Sequence, residues 1–294
     1  MKIGIYPGCS LKGSARDYNQ SVFALAKAFD IELTEINDWN CCGATAAHNL
    51  NKELSLALPA RIIGLAEQQG MTEILVPCAA CYSRLIVTRH ELNKHPELKN
   101  RIATGLDIPY KGEIEIINVI EFIDRYILDK IESKLIKPFN YKVACYYGCL
   151  MVRPPKILNY DRAEDPQTMD VVMRKIGADA LDFPFKTECC GAGLSVSQTE
   201  IVAKLSGKII EDAVYRKADC LIVACPMCHS NLDMRRPDIN NYWKETFDIP
   251  VIYVTQAIGL AIGLSPEQMG IDRHFVSVKF PKIEEKAVLP EVEK

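Results

Sequence analysis

The chain has 294 residues, 48% of them apolar and 25% charged, with a net charge of -3 and twelve cysteines. That length buries a full core and favours two ordinary domains, and the slightly acidic balance argues against non-specific nucleic-acid binding. The residues before Pro7 are too few for a signal-peptide core, and the longest mainly apolar stretch, 254–264, is only 11 residues and cannot span a bilayer. A cytoplasmic protein is expected, whose cysteines serve metal or redox chemistry rather than disulfides.

In chain order, residues 2–6 read as a short buried strand that runs into a Gly-Cys turn at Cys9. A helical pattern at about 14–29 and a strand at 31–36 lead to the adjacent pair Cys41 and Cys42, followed by Gly43. An amphipathic helix at about 49–69 and a strand at 73–77 then end at a turn bearing Cys78 and Cys81. Residues 134–140 are the expected linker. Beyond it the layout starts again: a strand at 141–145, Cys149, a helix at about 166–176 and a strand at 179–183. Cys189, Cys190 and Gly191 follow, then a helix at about 197–217, a strand at 220–224, and Cys225 with Cys228.

The recurrence is a duplication. In the first half 31 residues separate Cys9 from the cysteine pair and 35 separate the pair from Cys78; in the second the gaps are 39 and 34. The flanks repeat too, Tyr6-Pro-Gly-Cys9 matching Tyr146-Tyr-Gly-Cys149. Alternating strands and helices predict an α/β fold of two parallel cysteine-rich domains related by internal pseudo-symmetry. The expected domains are 1–137 and 138–280, with a loosely ordered or partner-bound tail at 281–294. In parallel sheets the loops leaving the carboxyl ends of the strands gather at one edge, so five thiols per half can converge there.

Thiolates hold zinc or iron–sulfur clusters. Five per half exceed the four that a structural zinc or a cubane cluster takes, which suggests a larger or distorted cluster. Two zinc sites with spare buried cysteines are the alternative. Glycine after each cysteine pair leaves room for the backbone to turn closely around sulfur. Cys145 and Cys220 have no cysteine counterpart in the first half and read as small buried hydrophobes.

These motifs resemble the cysteine-rich CCG domain, and two copies in one chain resemble the B subunit of heterodisulfide reductase. The resemblance covers about residues 1–265. It implies two non-cubane [4Fe-4S] clusters, one held by Cys9, Cys41, Cys42, Cys78 and Cys81, the other by Cys149, Cys189, Cys190, Cys225 and Cys228. It also implies a substrate, the mixed disulfide of coenzyme M and coenzyme B, split homolytically between the clusters with one electron to each sulfur. The chain carries no ferredoxin-type cysteine run and no dinucleotide-binding glycine motif. Electrons are therefore expected from a partner, which the family supplies as a ferredoxin-like C subunit fed by a flavin-containing A subunit. The alternatives are a CCG-type reductase of another disulfide, an electron-transfer subunit of a hydroxyacid or quinone oxidoreductase, and a zinc-stabilised interaction module.

His48 and His229 follow cysteine motifs but lack histidine counterparts in the other half, which argues against ligation; His229 is a candidate proton donor to a departing thiolate. His90, His95 and His274 read as surface residues. An anionic disulfide invites cations, and Arg84, Arg153 and Lys156 are the candidates, with Arg235 and Arg236 following the last motif. The helix starts after Gly191 and Gly193 are further anion sites.

Overall fold

The computed structural model describes residues 1–278 apart from Thr45, Asp107 and the side chain of His48; the expected tail at 281–294 lies outside the described residues. The first half runs β1 (Lys2–Ile5), α1 (Gly8–Lys12), α2 (Arg16–Ala28), β2 (Glu32–Glu35), α3 (Ala47–Leu50), α4 (Lys52–Gln68), β3 (Glu73–Leu75), α5 (Ala79–Lys94), α6 (Pro96–Leu106), β4 (Glu115–Ile117), α7 (Val119–Tyr126) and α8 (Leu128–Lys134). The second runs β5 (Lys142–Tyr146), α9 (Thr168–Lys175), β6 (Asp179–Ala180), α10 (Thr199–Tyr215), β7 (Cys220–Val223), α11 (Pro226–His229), α12 (Arg236–Trp243), β8 (Val251–Tyr253) and α13 (Val254–Ala261).

Each half forms one four-stranded sheet, in the order β2-β1-β3-β4 and β6-β5-β7-β8, and every pairing is parallel. Helices cover such sheets on both faces, which is why Cys220–Val223 is buried throughout. The expected α/β fold with two related parallel units is therefore observed. Each half adds a fourth strand, β4 and β8, beyond the three that its pattern predicts. The expected helix at 49–69 is broken at Asn51, whose extended backbone ends α3 and whose side chain caps α4 by accepting from the Leu54 N–H at 3.0 Å.

The halves exchange helices. α2 packs against α13 of the second half, and its counterpart α9 packs against α7 of the first. Tyr18 on α2 stacks on Tyr253 with ring centroids 3.9 Å apart, and Ser21 shares a 2.7 Å hydrogen bond with Thr255. The turn after each first cysteine also lies on the other half: α1 contacts α11, and the Cys149–Met151 turn contacts α5. This exchange turns the two cysteine-bearing edges toward each other.

Candidate metal centre between the two halves

Each cysteine group sits where a parallel strand ends. Cys9 lies in α1 just after β1, Cys78 caps α5 after β3, Cys149 follows β5, and Cys225 caps α11 after β7. In the first half the Sγ atoms of Cys42 and Cys81 are 3.2 Å apart, and Cys41 and Cys81 contact Cys42 and Cys78 by thiol hydrogen bonds. Cys9 stands exposed at the rim and interacts electrostatically with Cys41. In the second half Cys190 and Cys228 are 3.6 Å apart, Cys228 contacts Cys225, and Cys149 contacts Cys189. The sets meet where the thiols of Cys78 and Cys225 interact across the boundary between the halves, Cys225 pushing Cys78 up and Cys78 helping to hold Cys225 down.

The sulfurs have unequal acidity. Hydrogen bonds from Cys41 and Cys81 draw the Cys42 thiol down to about 3, with Arg84 adding a smaller lowering; the hydrogen bond from Cys149 draws Cys189 down to about 6. Cys41 and Cys149 move the other way, chiefly because each donates to its neighbour. Adjacent thiols thus stabilise one thiolate at the expense of the next. All five in a set can be ionised together only when cations neutralise them.

The tyrosine in each repeated motif has a specific role that its sequence did not reveal. The Tyr6 hydroxyl donates to the carbonyl of Asn40 at 2.9 Å, and the Tyr146 hydroxyl donates to that of Glu188 at 2.8 Å. Each grips the residue just before its cysteine pair. Past the pair, Gly43 and Gly191 take positive φ, 72° and 78°, and their N–H groups donate to the sulfurs of Cys41 and Cys189 at 3.4 and 3.3 Å. The Cys190 carbonyl is further held by Asn231 at 2.8 Å and Ser206 at 3.0 Å.

Cys145 and Cys220 lie fully buried within strands, and burial pushes both thiols up. Arg153 donates to the Thr187 carbonyl at 3.1 Å and pairs with Glu164 at 3.3 Å, so it braces the loop leading to Cys189. Lys156 is exposed. Arg235 pairs with Asp238 and donates to the Ser195 carbonyl. Arg236 is buried, with its guanidinium on the carbonyls of Leu232, Phe247 and Ile249. His90 and His95 are exposed.

His274 corrects the expectation of a surface residue: its side chain is 0% exposed and lies 3.3 Å from the Asp17 carboxylate. The Asp233 side chain accepts from the N–H groups of Phe275 and Val276, which draws this segment into the fold. His229 is buried between Tyr253 and His274, with Nε2 3.1 Å from the Val251 carbonyl; burial lowers its pKa to about 4, so the ring is neutral near pH 7.

A cavity of about 170 Å³ opens beside the second set. Cys149, Cys189, Cys190, Cys225 and Cys228 line it, together with Ala44, Ala79 and Ala80 of the first half. Among the described residues no helix is long and apolar enough to cross a membrane.

The family model for the CCG cysteine-rich domain matches residues 3–86 and again 143–233. The 8-methylmenaquinol:fumarate reductase membrane anchor subunit of Wolinella succinogenes is 28% identical over 94% of this chain and 97% of its own length. The B subunit of the ferredoxin/F420H2-dependent CoB-CoM heterodisulfide reductase of Methanosarcina acetivorans is 30% identical, with 94% of each chain covered. A crystal structure of a hypothetical protein from Helicobacter pylori has the same fold, with a TM-score of 0.79 at 15% identity over 95% of this chain and 52% of that one. With both halves matched by the family model and 94% of the chain shared with a heterodisulfide reductase B subunit, the chain belongs to the cysteine-rich CCG domain family.

Proposed function

We propose that the chain is the disulfide-reducing subunit of a heterodisulfide-reductase-type complex, an oxidoreductase acting on the mixed disulfide of coenzyme M and coenzyme B. The observation that carries this reading is the Cys78–Cys225 contact, which sets two five-cysteine groups side by side around one boundary. Cys9, Cys41, Cys42, Cys78 and Cys81 would hold one non-cubane [4Fe-4S] cluster, and Cys149, Cys189, Cys190, Cys225 and Cys228 the other. The donor set fits: apart from Cys9 at the rim, the sulfurs of each set interact with one another in pairs, so that ionising them all requires cationic neutralisation. When bound, two such clusters supply one electron to each sulfur of a disulfide, matching the two electrons that its reduction to thiols consumes.

The remaining roles belong to the chain itself. Tyr6 and Tyr146 fix the cysteine-pair loops, and the alanine side of the cavity limits water around the reacting sulfurs. Arg84, close enough to Cys42 to lower its pKa, is the best placed of the three candidate cations for an anionic substrate; Arg153 shapes the loop before Cys189. His229, expected as a proton donor, lines a cavity other than the one beside the cysteines, and its neutral ring, held on the Val251 carbonyl, has little to release near pH 7. Electrons would arrive from a ferredoxin-like C subunit, itself fed by a flavin-bearing A subunit, in a cytoplasmic complex.

The test is turnover of anaerobically prepared protein with the coenzyme M–coenzyme B disulfide and reduced viologen, expected to yield both thiols. The Wolinella relative supports a second reading, an electron-transfer subunit of a quinol-linked reductase. Iron-loaded protein that leaves the disulfide intact but exchanges electrons with a menaquinone analogue would decide for that reading.

Gly148→Ala probes the pocket more finely. A Cβ there would stand 2.9 Å from the Cys228 sulfur, on a residue with a φ of 74°. At ψ 167° this is a region that only glycine adopts readily, so the backbone alone costs about 1–3 kcal/mol, and the sulfur has to move. The variant should fold yet lose iron from the second set only. Full iron content at unchanged stability would show that the sulfur has slack there.

A further inference from the structure

A second group of potential ligands, free of cysteine, lies at the seam between the halves. Asp17 comes from α2 of the first half, His229 from α11 of the second, and His274 from the segment after α13. One ligand atom from each falls within 4.8 Å of the others. None of the three side chains is freely solvated: Asp17 is 6% exposed, His229 4%, and the His274 side chain 0%.

The hydrogen bonding around His274 is unresolved without a cation. Gln256 is locked in orientation, since its Oε1 accepts from the Tyr253 N–H at 2.8 Å and its Nε2 donates to the Met269 carbonyl at 3.0 Å. Its amide nitrogen therefore also faces His274 Nε2, at 2.9 Å. The Asp17 carboxylate faces that same ring nitrogen at 3.3 Å. One nitrogen cannot accept from the amide and donate to the carboxylate. His274 Nδ1 is buried with no hydrogen-bond partner. If Nε2 accepts from Gln256, the ring proton sits on Nδ1 with no acceptor and Asp17 meets a lone pair. Protonating both nitrogens gives Asp17 a donor but sets one N–H against the amide and leaves the other alone. A buried group left unpaired in this way costs about 1–3 kcal/mol.

We propose that Asp17, His229 and His274 form a binding site for one divalent transition-metal ion, of the zinc or ferrous class, that clasps the two halves and the C-terminal segment together. A cation takes up lone pairs from the carboxylate and both rings at once, so that the Asp17 carboxylate and the His274 Nε2 no longer face each other lone pair to lone pair. Two imidazoles and one carboxylate suit zinc, iron or cobalt better than magnesium or calcium, which prefer all-oxygen shells. The surroundings resemble an outer shell. The Val251 carbonyl at Nε2 of His229 fixes that ring and leaves its other nitrogen for a metal, and Asp233 clips the backbone just after His274. A cavity of about 350 Å³, lined by Asp17, His229, Asp233, Arg16 and Arg273, gives an entry path and room for water at an open coordination position. No cysteine lines it, so the site is separate from the sulfur sets.

The full iron-loaded chain, freed of loosely held metal by a mild chelator, would be titrated anaerobically with cobalt(II). One equivalent should bind with ligand-field bands of nitrogen and oxygen ligation and without thiolate-to-cobalt charge transfer. Zinc should displace it and raise the unfolding temperature. His274→Ala and Asp17→Asn should weaken binding at least about 100-fold with iron content unchanged. Cobalt bound only with thiolate charge transfer, affinity unaltered in both variants, or no binding at millimolar metal would each overturn the site. The wild-type spectrum decides by itself if either variant fails to fold, and none of these readouts depends on disulfide turnover.

Discussion

With two four-iron clusters bound as proposed, Cys190→Ala should lower iron from about eight to about four atoms per chain and reduce disulfide turnover by roughly 1000-fold or more, a barrier increase of about 4 kcal/mol. The sulfur of Cys190 is buried, 3.6 Å from Cys228, and its carbonyl is fixed by Asn231 and Ser206, so a replacement has no mobile substitute. Cys42→Ala should do the same from the other side, because both electrons of the cleavage are needed and each set is proposed to supply one. Cys220→Ala is the control: that thiol is equally buried but lies inside β7, and the variant should keep all its iron and its activity. Iron analysis and single-turnover kinetics on the three variants read the outcome. Undiminished turnover in either Cys190→Ala or Cys42→Ala would end the two-cluster scheme, whatever the iron content.

Much of this site is visible in the sequence because ligand spacing is a local property repeated twice. A strand, a Gly-Cys turn, a cysteine pair and a Cys-x-x-Cys turn each leave a mark in a few neighbouring residues. The parallel sheets follow from the same alternation. What escaped depends on partners distant in the chain. β4 and β8 lie beyond the last cysteine motif of each half, where no repeated landmark announces a strand, and are set by pairing with β3 and β7. The role of Tyr6 is a bond to a carbonyl 34 residues away, and that of Tyr146 to one 42 residues away. His274 sits between charged and apolar neighbours that give no periodic signal. Its burial follows from Asp233, more than 40 residues earlier, holding the two residues after it. The amphipathic pattern of α2 likewise promises one buried face without saying that α13 of the other half will cover it.

That exchange of helices leads to the largest expected effect on stability. Tyr18→Ala should lower the unfolding free energy by about 3–5 kcal/mol, displacing the anaerobic thermal midpoint by on the order of 10 °C. Tyr18 is fully buried, lies flat on Tyr253, and sends its hydroxyl to the carbonyl of Ala224 at 3.1 Å and toward that of Pro77 at 3.5 Å. Those two carbonyls immediately precede Cys225 and Cys78, the pair whose thiols meet across the boundary. One ring therefore fills the seam and one hydroxyl holds both cysteine-bearing turns. Tyr18→Phe separates the two jobs: it keeps the ring, removes the hydroxyl, and should cost about 1 kcal/mol. If the hydroxyl sets the approach of the two turns, Tyr18→Phe will slow turnover while iron content holds, and Tyr18→Ala will lose iron from both sets together. A Tyr18→Ala protein that melts like the parent would mean that the two halves are held by contacts other than this stack, and iron lost from one set alone would mean that the turns are positioned independently.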